Sequence, residues 1–431
     1  MSSLDILFVH NNFPAQFRNL AEQFASLPGI RVRAIGAMGA PSLPGIETVR
    51  YGMRPVPKAR CHPFAQRFDL ECRRAEMVLY EAIQLRQEGF SPRVIYVHPG
   101  WGEALPLRSV FPHATICSYA EFYYAARGRD VGFDTEFDTF GVDGDVRITL
   151  RNAGTLLALA EADYAISPMR WQKSVFPPEF HSKIHVVHDG MDFGTLTPDH
   201  SIRGLSIQGL HLTAEDEVIT FVSRNLEPYR GFHIFMRALP EILKARPRAH
   251  VLILGDDGVS YGAPPREHGS WRMAMLAEIA GEIDFQRVHF LGWTHYDDYL
   301  AVLRRSDAHI YLTYPFVLSW SMLEAMAMEC LIIGSDTAPV SEVVTAGYNG
   351  LLVPFFSPKA LSDLVTEALA NPKKFARLRK AARTSVVTRY DFRRNIWPKH
   401  VDLLRRYCRD EALIERVQGE AIAQPVREES L

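Results

Sequence analysis

Short apolar runs rich in β-branched residues alternate with longer amphipathic runs along almost the whole chain, in two successive series. The first series begins with LDILFVH at residues 4–10, and the second begins with EVITFVSR at residues 217–224. Strands that alternate with helices in this way build parallel sheets with helices on both faces. The sequence therefore predicts an α/β chain with two Rossmann-like, doubly wound domains.

The alternation is interrupted at Asp192–Gly209, where Gly, Thr, Pro, His and Ser replace the periodic pattern and mark a domain boundary. Residues Phe375–Cys408 form a basic, helical stretch, and Pro398 within it is expected to kink or break the helix. The predicted segments are an amino-terminal domain over residues 1–195, a second domain over 205–385, a carboxy-terminal helix over 386–412 and a frayed tail over 413–431.

Composition and charge exclude several classes of protein. Lys and Arg (48) nearly balance Asp and Glu (50), so no basic field indicates nucleic acid as a partner. No apolar run approaches the roughly 18 residues of a membrane span, and the amino terminus lacks the features of a signal peptide. The five cysteines lie far apart and without metal-ligand spacing. We therefore expect a cytoplasmic protein without structural zinc.

One carboxylate stands out in the segment Tyr314–Asp336, YPFVLSWSMLEAMAMECLIIGSD. A helix is predicted to start near Trp320, and the unpaired N–H groups of its first turn favour an anion. The hydroxyls of Ser319 and Ser321 suit a phosphate, whereas Glu324 would repel phosphate and accept hydrogen bonds from a neutral diol. A ribose beside a diphosphate would suit both groups, since the diphosphate faces the serine hydroxyls and the ribose diol faces Glu324. The alternative is a capping box, in which Glu324 only returns a hydrogen bond to the helix start.

Two arginines frame the loop after the strand EVITFVS. Arg224 lies at the end of that strand, and Arg230 precedes a helix that starts near Gly231. Two guanidinium groups that converge on a diphosphate would stabilise the charge of a departing phosphate, so both are candidate catalytic cations. The alternative is a pair of solvated loop residues. The neighbouring acidic pair Asp256 and Asp257 is not expected to bind a metal.

The segment LEAMAMECLIIGSDTAPVSEVVTAGYNGLLVP resembles the donor-binding segment of glycosyltransferase family 4, a family of retaining enzymes with the GT-B fold. The matching residues are Glu324, Ala325, Met326, Ala327, Glu342, Asn349 and Gly350. HDGMD and FVSRNLEPYRGF are similar to further family segments, and YPFVLSWS and HPGWGE are typical of a bacterial subgroup. The resemblance covers nearly the whole chain. It implies two Rossmann-like domains that face a central cleft, with the carboxy-terminal helix returning to the first domain.

The resemblance also implies a donor site. Glu324 would hold the ribose hydroxyls of a nucleoside diphosphate sugar, and the segment Ser319–Ser321, which includes Trp320, would face the distal phosphate or the sugar. Backbone groups at Gly292 would read the base, on which Trp293 would stack; a packed tryptophan is the alternative. The family carries a further Glu eight positions before Glu324, where this chain has Phe316, so the group that holds the sugar there is left open.

The remaining candidates belong to the amino-terminal domain. His98 matches a family histidine that contacts the transferred sugar, although a structural histidine at a strand end is the alternative. The weaker candidates for contact with the acceptor substrate come from the segments HNNFPAQFRNLA, HPGWGE and YAEFYYAARG; they are Gln16, Arg18, Glu103 and Tyr123. Two basic clusters, 54–60 and 73–77, would touch anionic lipid if the acceptor substrate is lipid-linked.

The resemblance implies a retaining, metal-independent glycosyltransferase that needs no cofactor. Its donor would be a UDP- or GDP-linked sugar and its acceptor substrate a glycan or lipid-linked glycan, in bacterial surface polysaccharide synthesis. The alternatives are a nucleotide-sugar 2-epimerase and a non-catalytic module that binds nucleotide sugars. The base, sugar, acceptor substrate, linkage and oligomeric state are left open by the sequence.

Overall fold

The computed structural model describes residues 4–53, 61–137 and 141–423, and the chain divides into two compact units. Unit 1 comprises Met1–Asp192 and Tyr390–Leu431, and unit 2 comprises Phe193–Arg389. The chain therefore leaves unit 1 once, after Asp192, and re-enters it at Tyr390.

Unit 1 is built on a seven-stranded sheet whose strands run in the order β3-β2-β1-β4-β5-β6-β7, with every neighbouring pair parallel. The strands are β1 (Leu4–Val9), β2 (Ile30–Ala37), β3 (Glu47–Tyr51), β4 (Pro92–Val97), β5 (Thr115–Tyr119), β6 (Tyr164–Ser167) and β7 (Ile184–Val186). The strand order reverses between β1 and β4, and doubly wound sheets bind ligands at the carboxyl ends of strands beside such a point.

Unit 2 holds a six-stranded parallel sheet in the order β12-β11-β10-β13-β14-β15 and a small antiparallel hairpin, β8-β9. The strands are β8 (Leu205–Ile207), β9 (Leu210–Leu212), β10 (Glu217–Asn225), β11 (Ala249–Asp256), β12 (Val288–Gly292), β13 (Ala308–Tyr311), β14 (Ile332–Ser335) and β15 (Leu351–Val353). Here the order reverses between β10 and β13. The predicted α/β class with two doubly wound parallel sheets is confirmed.

Fifteen α-helices connect these strands or follow them in the described part of the chain. Those of unit 1 before the crossing are α1 (Arg18–Ser26), α2 (Gln66–Gln87), α3 (Leu107–Val110), α4 (Val142–Leu150), α5 (Ala153–Glu161) and α6 (Arg170–Ser174). Those of unit 2 begin with α7 (Phe232–Ala245), α8 (Trp271–Glu278), α9 (Tyr296–Arg305), α10 (Trp320–Ala327), α11 (Ala338–Ser341) and α12 (Pro358–Ala370). The last three are α13 (Ala376–Tyr390), α14 (Trp397–Tyr407) and α15 (Glu411–Ala423).

Helix α7 shows how an amphipathic pattern fixes a helix on its sheet. It begins after Gly231, whose φ of 65° is a left-handed conformation that favours glycine. Its apolar side chains recur at helical spacing and are buried, so that Phe235 stacks on Phe221 of β10 with ring centroids 4.8 Å apart. This packing sets where the loop between β10 and α7 lies.

The carboxy-terminal stretch is broken as predicted, because α13 ends at Tyr390 and α14 begins at Trp397. Pro398 lies in the first turn of α14, where the missing N–H of proline costs no helical hydrogen bond. The tail was expected to fray from residue 413, but α15 continues to Ala423 and buries Leu413 and Val417 in the core of unit 1. Residues 424–431 lie outside the described part of the chain.

Among the helices of the described residues, none has the length and apolar composition that a membrane span requires.

Candidate functional site

The start of α10 follows β13 at the carboxyl edge of the unit 2 sheet. The N-cap of the helix is Ser319, whose hydroxyl accepts the N–H of Ser321 at 3.3 Å. The two serine hydroxyls lie 2.9 Å apart, and the N–H of Ser319 donates to the Tyr311 hydroxyl at 2.7 Å. Two hydroxyls and the backbone N–H groups of the first turn therefore meet at one end of the helix.

Glu324 does not form a capping box. Its carboxylate accepts hydrogen bonds from the hydroxyl of Tyr299 at 2.6 Å and from that of Tyr296 at 3.0 Å, and the cap is formed by Ser319. Burial raises the pKa of Glu324, and the two tyrosine bonds partly offset that shift. Because a carboxylate offers about four acceptor positions, two remain for a ligand.

Arg230 is buried and held by the loop that delivers α10. Its Nη1 donates to Thr313 Oγ1 at 3.0 Å and to the carbonyl of Val317 at 2.9 Å, with the Tyr311 hydroxyl at 3.4 Å. The alternative of a solvated Arg230 is therefore wrong. Arg224, in contrast, is exposed, and within the described residues it forms no ion pair.

Phe316 occupies the position where the family carries a further Glu. Its ring is buried and lies 4.7 Å from the ring of Tyr261 and 5.5 Å from that of Tyr229. The guanidinium of Arg230 lies over both Tyr261, at 5.3 Å, and Phe316, at 6.0 Å. An aromatic surface against a buried cation thus replaces a carboxylate.

Glu227 fixes the Tyr261 side of this arrangement. It is fully buried, and its carboxylate accepts the backbone N–H groups of Ser260, Tyr261 and Gly262 at 3.2, 3.2 and 3.1 Å. Burial raises the pKa of Glu227, and these three hydrogen bonds oppose the shift. The loop that carries Tyr261 is therefore held in place by the carboxylate of Glu227, which was not among the predicted site residues.

The remaining candidates of unit 2 are Gly292, Trp293 and Trp320. Gly292 ends β12 with a φ of 63°, and a Cβ added there would meet no atom within 4 Å. Trp293 is 67% exposed, so the alternative of a packed tryptophan is wrong, and Trp320 is 40% exposed. An aromatic surface is therefore available next to the open backbone of Gly292.

In unit 1, His98 directly follows β4, and its ring is buried. Its Nδ1 accepts the N–H of Gly100 at 3.1 Å, and its Nε2 lies 3.3 Å from Oε2 of Glu121 without a hydrogen bond between them. The ring centroid lies 4.6 Å from that of Trp101. His98 therefore belongs to a polar cluster at the carboxyl edge of the sheet.

His10 and Gln16 complete this cluster. His10 directly follows β1, its Nδ1 accepts the N–H of Asn12 at 2.8 Å, and its ring centroid lies 5.0 Å from that of His98. Gln16 donates from Nε2 to Oε1 of Glu121 at 2.8 Å. Burial, and next the neighbouring His98, lower the pKa of His10 well below its usual value, with Gln16 acting in the opposite direction.

Glu103, predicted to contact the acceptor substrate, is completely buried. It accepts a hydrogen bond from the Tyr51 hydroxyl at 2.7 Å and lies 3.9 Å from Nε of Arg74. Burial also raises the pKa of Glu103. The carboxylate faces the core of unit 1, so the prediction of a contact with the acceptor substrate is not supported by its position.

Arg18 and Tyr123 lie closer to the surface than Glu103 does. Arg18 starts α1 and forms an exposed ion pair with Glu22 at 3.7 Å. The ring of Tyr123 packs 5.9 Å from that of Phe176, and its carbonyl accepts a hydrogen bond from Arg129 at 2.6 Å. Neither residue belongs to the cluster of His10, His98, Gln16 and Glu121.

Only one of the two basic clusters falls within the described residues. Residues 54–60 lie outside them. In the second cluster, 73–77, Arg73 pairs with Asp69 at 2.6 Å, and Arg74 donates to the carbonyl of Trp101 at 2.8 Å. Arg74 therefore forms a hydrogen bond with the loop that follows His98.

Sequence reasoning missed five residues that build these sites: Tyr296, Tyr299, Glu227, His10 and Glu121. The first two lie three residues apart in YDDY, on one face of α9, which is the only local signal for the tyrosine pair. His10 is the last residue of the predicted strand LDILFVH, and Glu121 lies two residues after β5. The position of both residues at the carboxyl ends of strands is the sequence signal that indicates them as candidate site residues.

Comparisons with known proteins agree with this architecture. The model of the glycosyl transferase family 4 group matches residues 28–196, and that of the glycosyl transferases group 1 matches residues 207–385. A D-inositol 3-phosphate glycosyltransferase of Jonesia denitrificans is 27% identical over 218 residues, which are 47% of this chain and 46% of that protein. The chain spans about half the length of the curated relatives it matches.

Two solved structures are similar over nearly the whole chain. Sucrose-phosphate synthase from Thermosynechococcus elongatus has a TM-score of 0.70 at 18% identity, covering 94% of this chain and 98% of that one. Anabaena HepE in complex with UDP-glucose has a TM-score of 0.62 at 14% identity, covering 98% and 100%. At these identities the likeness shows the fold alone, which is GT-B. With both units matched by models of these transferase groups, the chain belongs to glycosyltransferase family 4/group 1.

Proposed function

We propose that this chain is a retaining glycosyltransferase whose donor is a nucleoside diphosphate sugar, linked to UDP or GDP. The observation that carries the proposal is the carboxylate of Glu324, which two tyrosine hydroxyls hold beside the start of α10. A carboxylate with two acceptor positions left suits the hydroxyls of a ribose. The Anabaena structure similar to this chain is a complex with UDP-glucose, which supports UDP as the nucleotide.

The diphosphate would lie beside Glu324, at the N-terminal end of α10. The hydroxyls of Ser319 and Ser321 and the N–H groups of the first turn are donors that suit phosphate oxygens. Arg224 and Arg230 would neutralise the charge on the departing phosphate, which makes metal independence part of the proposal. Arg230 is preorganised for this role, because the loop of Thr313 and Val317 already holds it.

The base and the sugar are assigned less directly. Trp293 would stack on the base while the backbone of Gly292 reads its edge, and Trp320 would lie near the distal phosphate or sugar. Phe316 and Tyr261 present rings where the family carries a carboxylate, so this side of the sugar would meet an aromatic surface. Binding of the sugar on this side would therefore depend more on van der Waals contact than on hydrogen bonds.

The reaction transfers the glycosyl group and retains the configuration at its anomeric carbon. The bond between that carbon and the leaving phosphate oxygen breaks, and the hydroxyl oxygen of the acceptor substrate bonds to the carbon on the same face. The hydroxyl proton passes to the departing phosphate oxygen. In this scheme no side chain of the chain acts as a covalent nucleophile, and the arginines stabilise the leaving charge.

Unit 1 would supply contacts to the sugar and the acceptor substrate. His98 and Gln16 are the candidates that its polar cluster supports, whereas Arg18 and Tyr123 remain separate surface candidates. The acceptor substrate would be a glycan or lipid-linked glycan of bacterial surface polysaccharide synthesis. We place the protein in the cytoplasm, with peripheral contact to the membrane where the acceptor substrate is lipid-linked.

The proposal is tested by following UDP- and GDP-linked sugars by ¹H and ³¹P NMR, with EDTA present and with a panel of glycan acceptors. We expect nucleoside diphosphate release that depends on an acceptor, with the anomeric configuration of the donor kept in the product. Accumulation of a C2 epimer of the sugar nucleotide without any acceptor would instead identify an epimerase. Nucleotide binding without turnover across the panel would favour a non-catalytic binding module.

A further inference from the structure

We propose that the hydroxyl group of Tyr261 binds the distal phosphate of the donor, and that the buried Arg230 acts on that phosphate through Tyr261. This inference rests on the proposed function, and it gives to a tyrosine of unit 2 a direct contact that the sequence predicts for an arginine. Tyr261 lies in the loop between β11 and α8, at the carboxyl edge of the unit 2 sheet.

Tyr261 covers the guanidinium group to which the proposed function assigns the charge of the leaving phosphate. The guanidinium carbon of Arg230 lies 5.3 Å from the centre of the Tyr261 ring, and the two side chains form a hydrogen bond. Arg230 is only 8% exposed, whereas Tyr261 is 36% exposed. A ligand that approaches this edge of the sheet therefore meets Tyr261 before it meets Arg230.

The direction of that hydrogen bond leaves the hydroxyl proton of Tyr261 for a ligand. A guanidinium group has N–H donors only, so the phenol oxygen of Tyr261 accepts the bond from Arg230. Hydrogen bonds that follow one another in a chain polarise each other, so the O–H of a phenol that accepts from a cation becomes a stronger donor. An anionic oxygen is the acceptor that gains most from such a donor.

A chain of hydrogen bonds links Arg230 to the start of α10. Nη1 of Arg230 donates to the Tyr311 hydroxyl at 3.4 Å, and the same hydroxyl accepts the N–H of Ser319 at 2.7 Å. Ser319 is the N-cap of α10, where the proposed function places the diphosphate. Tyr261 and the N-terminal end of α10 are therefore linked through one buried guanidinium group, which suits a diphosphate that contacts both.

The backbone around Tyr261 is held in place, so the hydroxyl group is a fixed donor. The N–H groups of Tyr261 and Gly262 donate to the buried carboxylate of Glu227 at 3.2 and 3.1 Å. The carbonyl of the next residue, Ala263, accepts Nε1 of Trp271 at 3.0 Å. A donor that is already in position stabilises a developing charge without reorganisation, which is what a leaving phosphate requires.

The two ends of the Tyr261 side chain have different surroundings. Its ring packs 4.7 Å from the buried ring of Phe316, whereas its hydroxyl group is bonded to a cation. We therefore expect the sugar to lie along the ring and the phosphate that carries the sugar to lie at the hydroxyl group. A neutral sugar hydroxyl would gain less from this O–H, because hydrogen bonds to charged groups are stronger.

The first experiment measures the binding of uridine, UMP and UDP to the wild type and to Tyr261→Phe by NMR titration, or of the guanosine series if the wild type selects that base. The three ligands differ only in their phosphates, so they report where a lost contact lies. We expect the affinity for the diphosphate to fall about tenfold or more, and the other two affinities to change by less than about twofold. Tyr348→Phe is the matched control, because it removes the hydroxyl of another exposed tyrosine of unit 2 and should leave all three affinities unchanged.

The second experiment is a double-mutant cycle on kcat with Tyr261→Phe, Arg230→Gln and the double variant. We expect Tyr261→Phe to lower kcat on the order of 10² fold, as for the loss of one donor to a developing charge. Because Arg230 acts through Tyr261, Arg230→Gln should lower kcat far less in the Tyr261→Phe background than in the wild type. Urea unfolding of all four proteins verifies that each one is folded.

The outcomes separate the inference from the proposed function. An affinity for the diphosphate that Tyr261→Phe leaves unchanged, or an equal loss for all three ligands, would overturn the phosphate contact while the donor assignment of unit 2 stands. Equal effects of Arg230→Gln in both backgrounds would overturn the indirect role of Arg230. If the wild type bound no nucleotide, the proposed function would be wrong, and the inference would fall with it.

Discussion

The carboxyl edges of the two sheets share a topology but differ in how their polar groups are satisfied. In unit 2, Arg230 is held by Thr313 and Val317, and Glu324 accepts bonds from two tyrosine hydroxyls. In unit 1, Nε2 of the buried His98 lies 3.3 Å from Oε2 of Glu121, and Gln16 donates to the other oxygen of that carboxylate at 2.8 Å. In unit 2 the charged groups are therefore held by hydroxyl and carbonyl groups, whereas in unit 1 two histidine rings, an amide and a carboxylate form one cluster.

The same sheet topology therefore carries two different arrangements of polar groups. Fixed charges stabilise a developing charge without reorganisation, which suits a diphosphate leaving group.

Replacing Arg230 by alanine should have the largest effect. We expect turnover to fall on the order of 10² to 10³ fold, as for the loss of one preorganised electrostatic group. The free energy of unfolding should also fall, because Thr313 and the Val317 carbonyl lose their buried partner. Turnover and urea unfolding are measured together, with Arg224→Ala as the control.

The control separates the two arginines. Arg224 is exposed, so Arg224→Ala should reduce turnover and leave the free energy of unfolding nearly unchanged. If Arg230→Ala kept the turnover of the wild type, the fixed-charge description of unit 2 would be wrong.

Replacing Tyr51 by phenylalanine tests the structural role of Glu103. The hydroxyl of Tyr51 donates to this fully buried carboxyl group, so its loss should reduce the free energy of unfolding by about 1–3 kcal/mol. Turnover per folded molecule should not change, since Glu103 faces the core. A raised KM for the acceptor substrate at unchanged stability would restore Glu103 as a contact with that substrate.

The stability of Glu324→Gln should depend on pH in a defined direction. Burial raises the pKa of Glu324 in the folded chain, so the folded state binds more protons than the unfolded state between the ordinary and the raised pKa. The stability of the wild type relative to the variant should therefore fall as pH rises through that window. Below the ordinary pKa of glutamate the burial cost disappears. Urea unfolding of both proteins across acidic to neutral pH measures the difference, and the opposite slope would contradict the burial of this carboxylate.

Replacing Arg18 by alanine should have the smallest effect. Its ion pair with Glu22 is exposed on both sides, and such pairs contribute less than about 1 kcal/mol. Thermal unfolding should be nearly unchanged. A clear rise in the KM for a glycan acceptor, at unchanged stability, would extend the site of unit 1 to this helix, whereas no rise would confine it to the cluster of His10 and His98.

Strand and helix periodicity was enough to predict two doubly wound sheets, because buried parallel strands leave continuous apolar runs in the sequence. It did not reveal α15 as part of unit 1, where Leu413 and Val417 of this helix are buried in the core. The hairpin β8-β9 was also missed, because its three-residue strands lie where turn-forming residues interrupt the pattern.

The hydrogen-bond partners of the candidate site residues could not be predicted from local sequence motifs. The spacing of Ser321 and Glu324 fits both a cap and a ligand contact, and the choice depends on tyrosines 25 and 28 residues earlier in the chain. Glu103 resembled a loop contact, but Tyr51, 52 residues away, fixes it in the core. Such partners are set by tertiary packing, which a motif does not encode.

The most direct test of the account is nucleotide binding by the wild type and by Glu324→Ala, followed as thermal stabilisation with UDP, GDP, ADP and CMP. One nucleoside diphosphate should stabilise the wild type, by about 2.7 kcal/mol at a hundred times its dissociation constant, and should stabilise the variant much less. Tyr299→Phe, which removes one hydroxyl that holds the carboxylate, should fall between them. No stabilisation by any nucleotide, or equal stabilisation of wild type and Glu324→Ala, would contradict the assignment of unit 2 as the donor site.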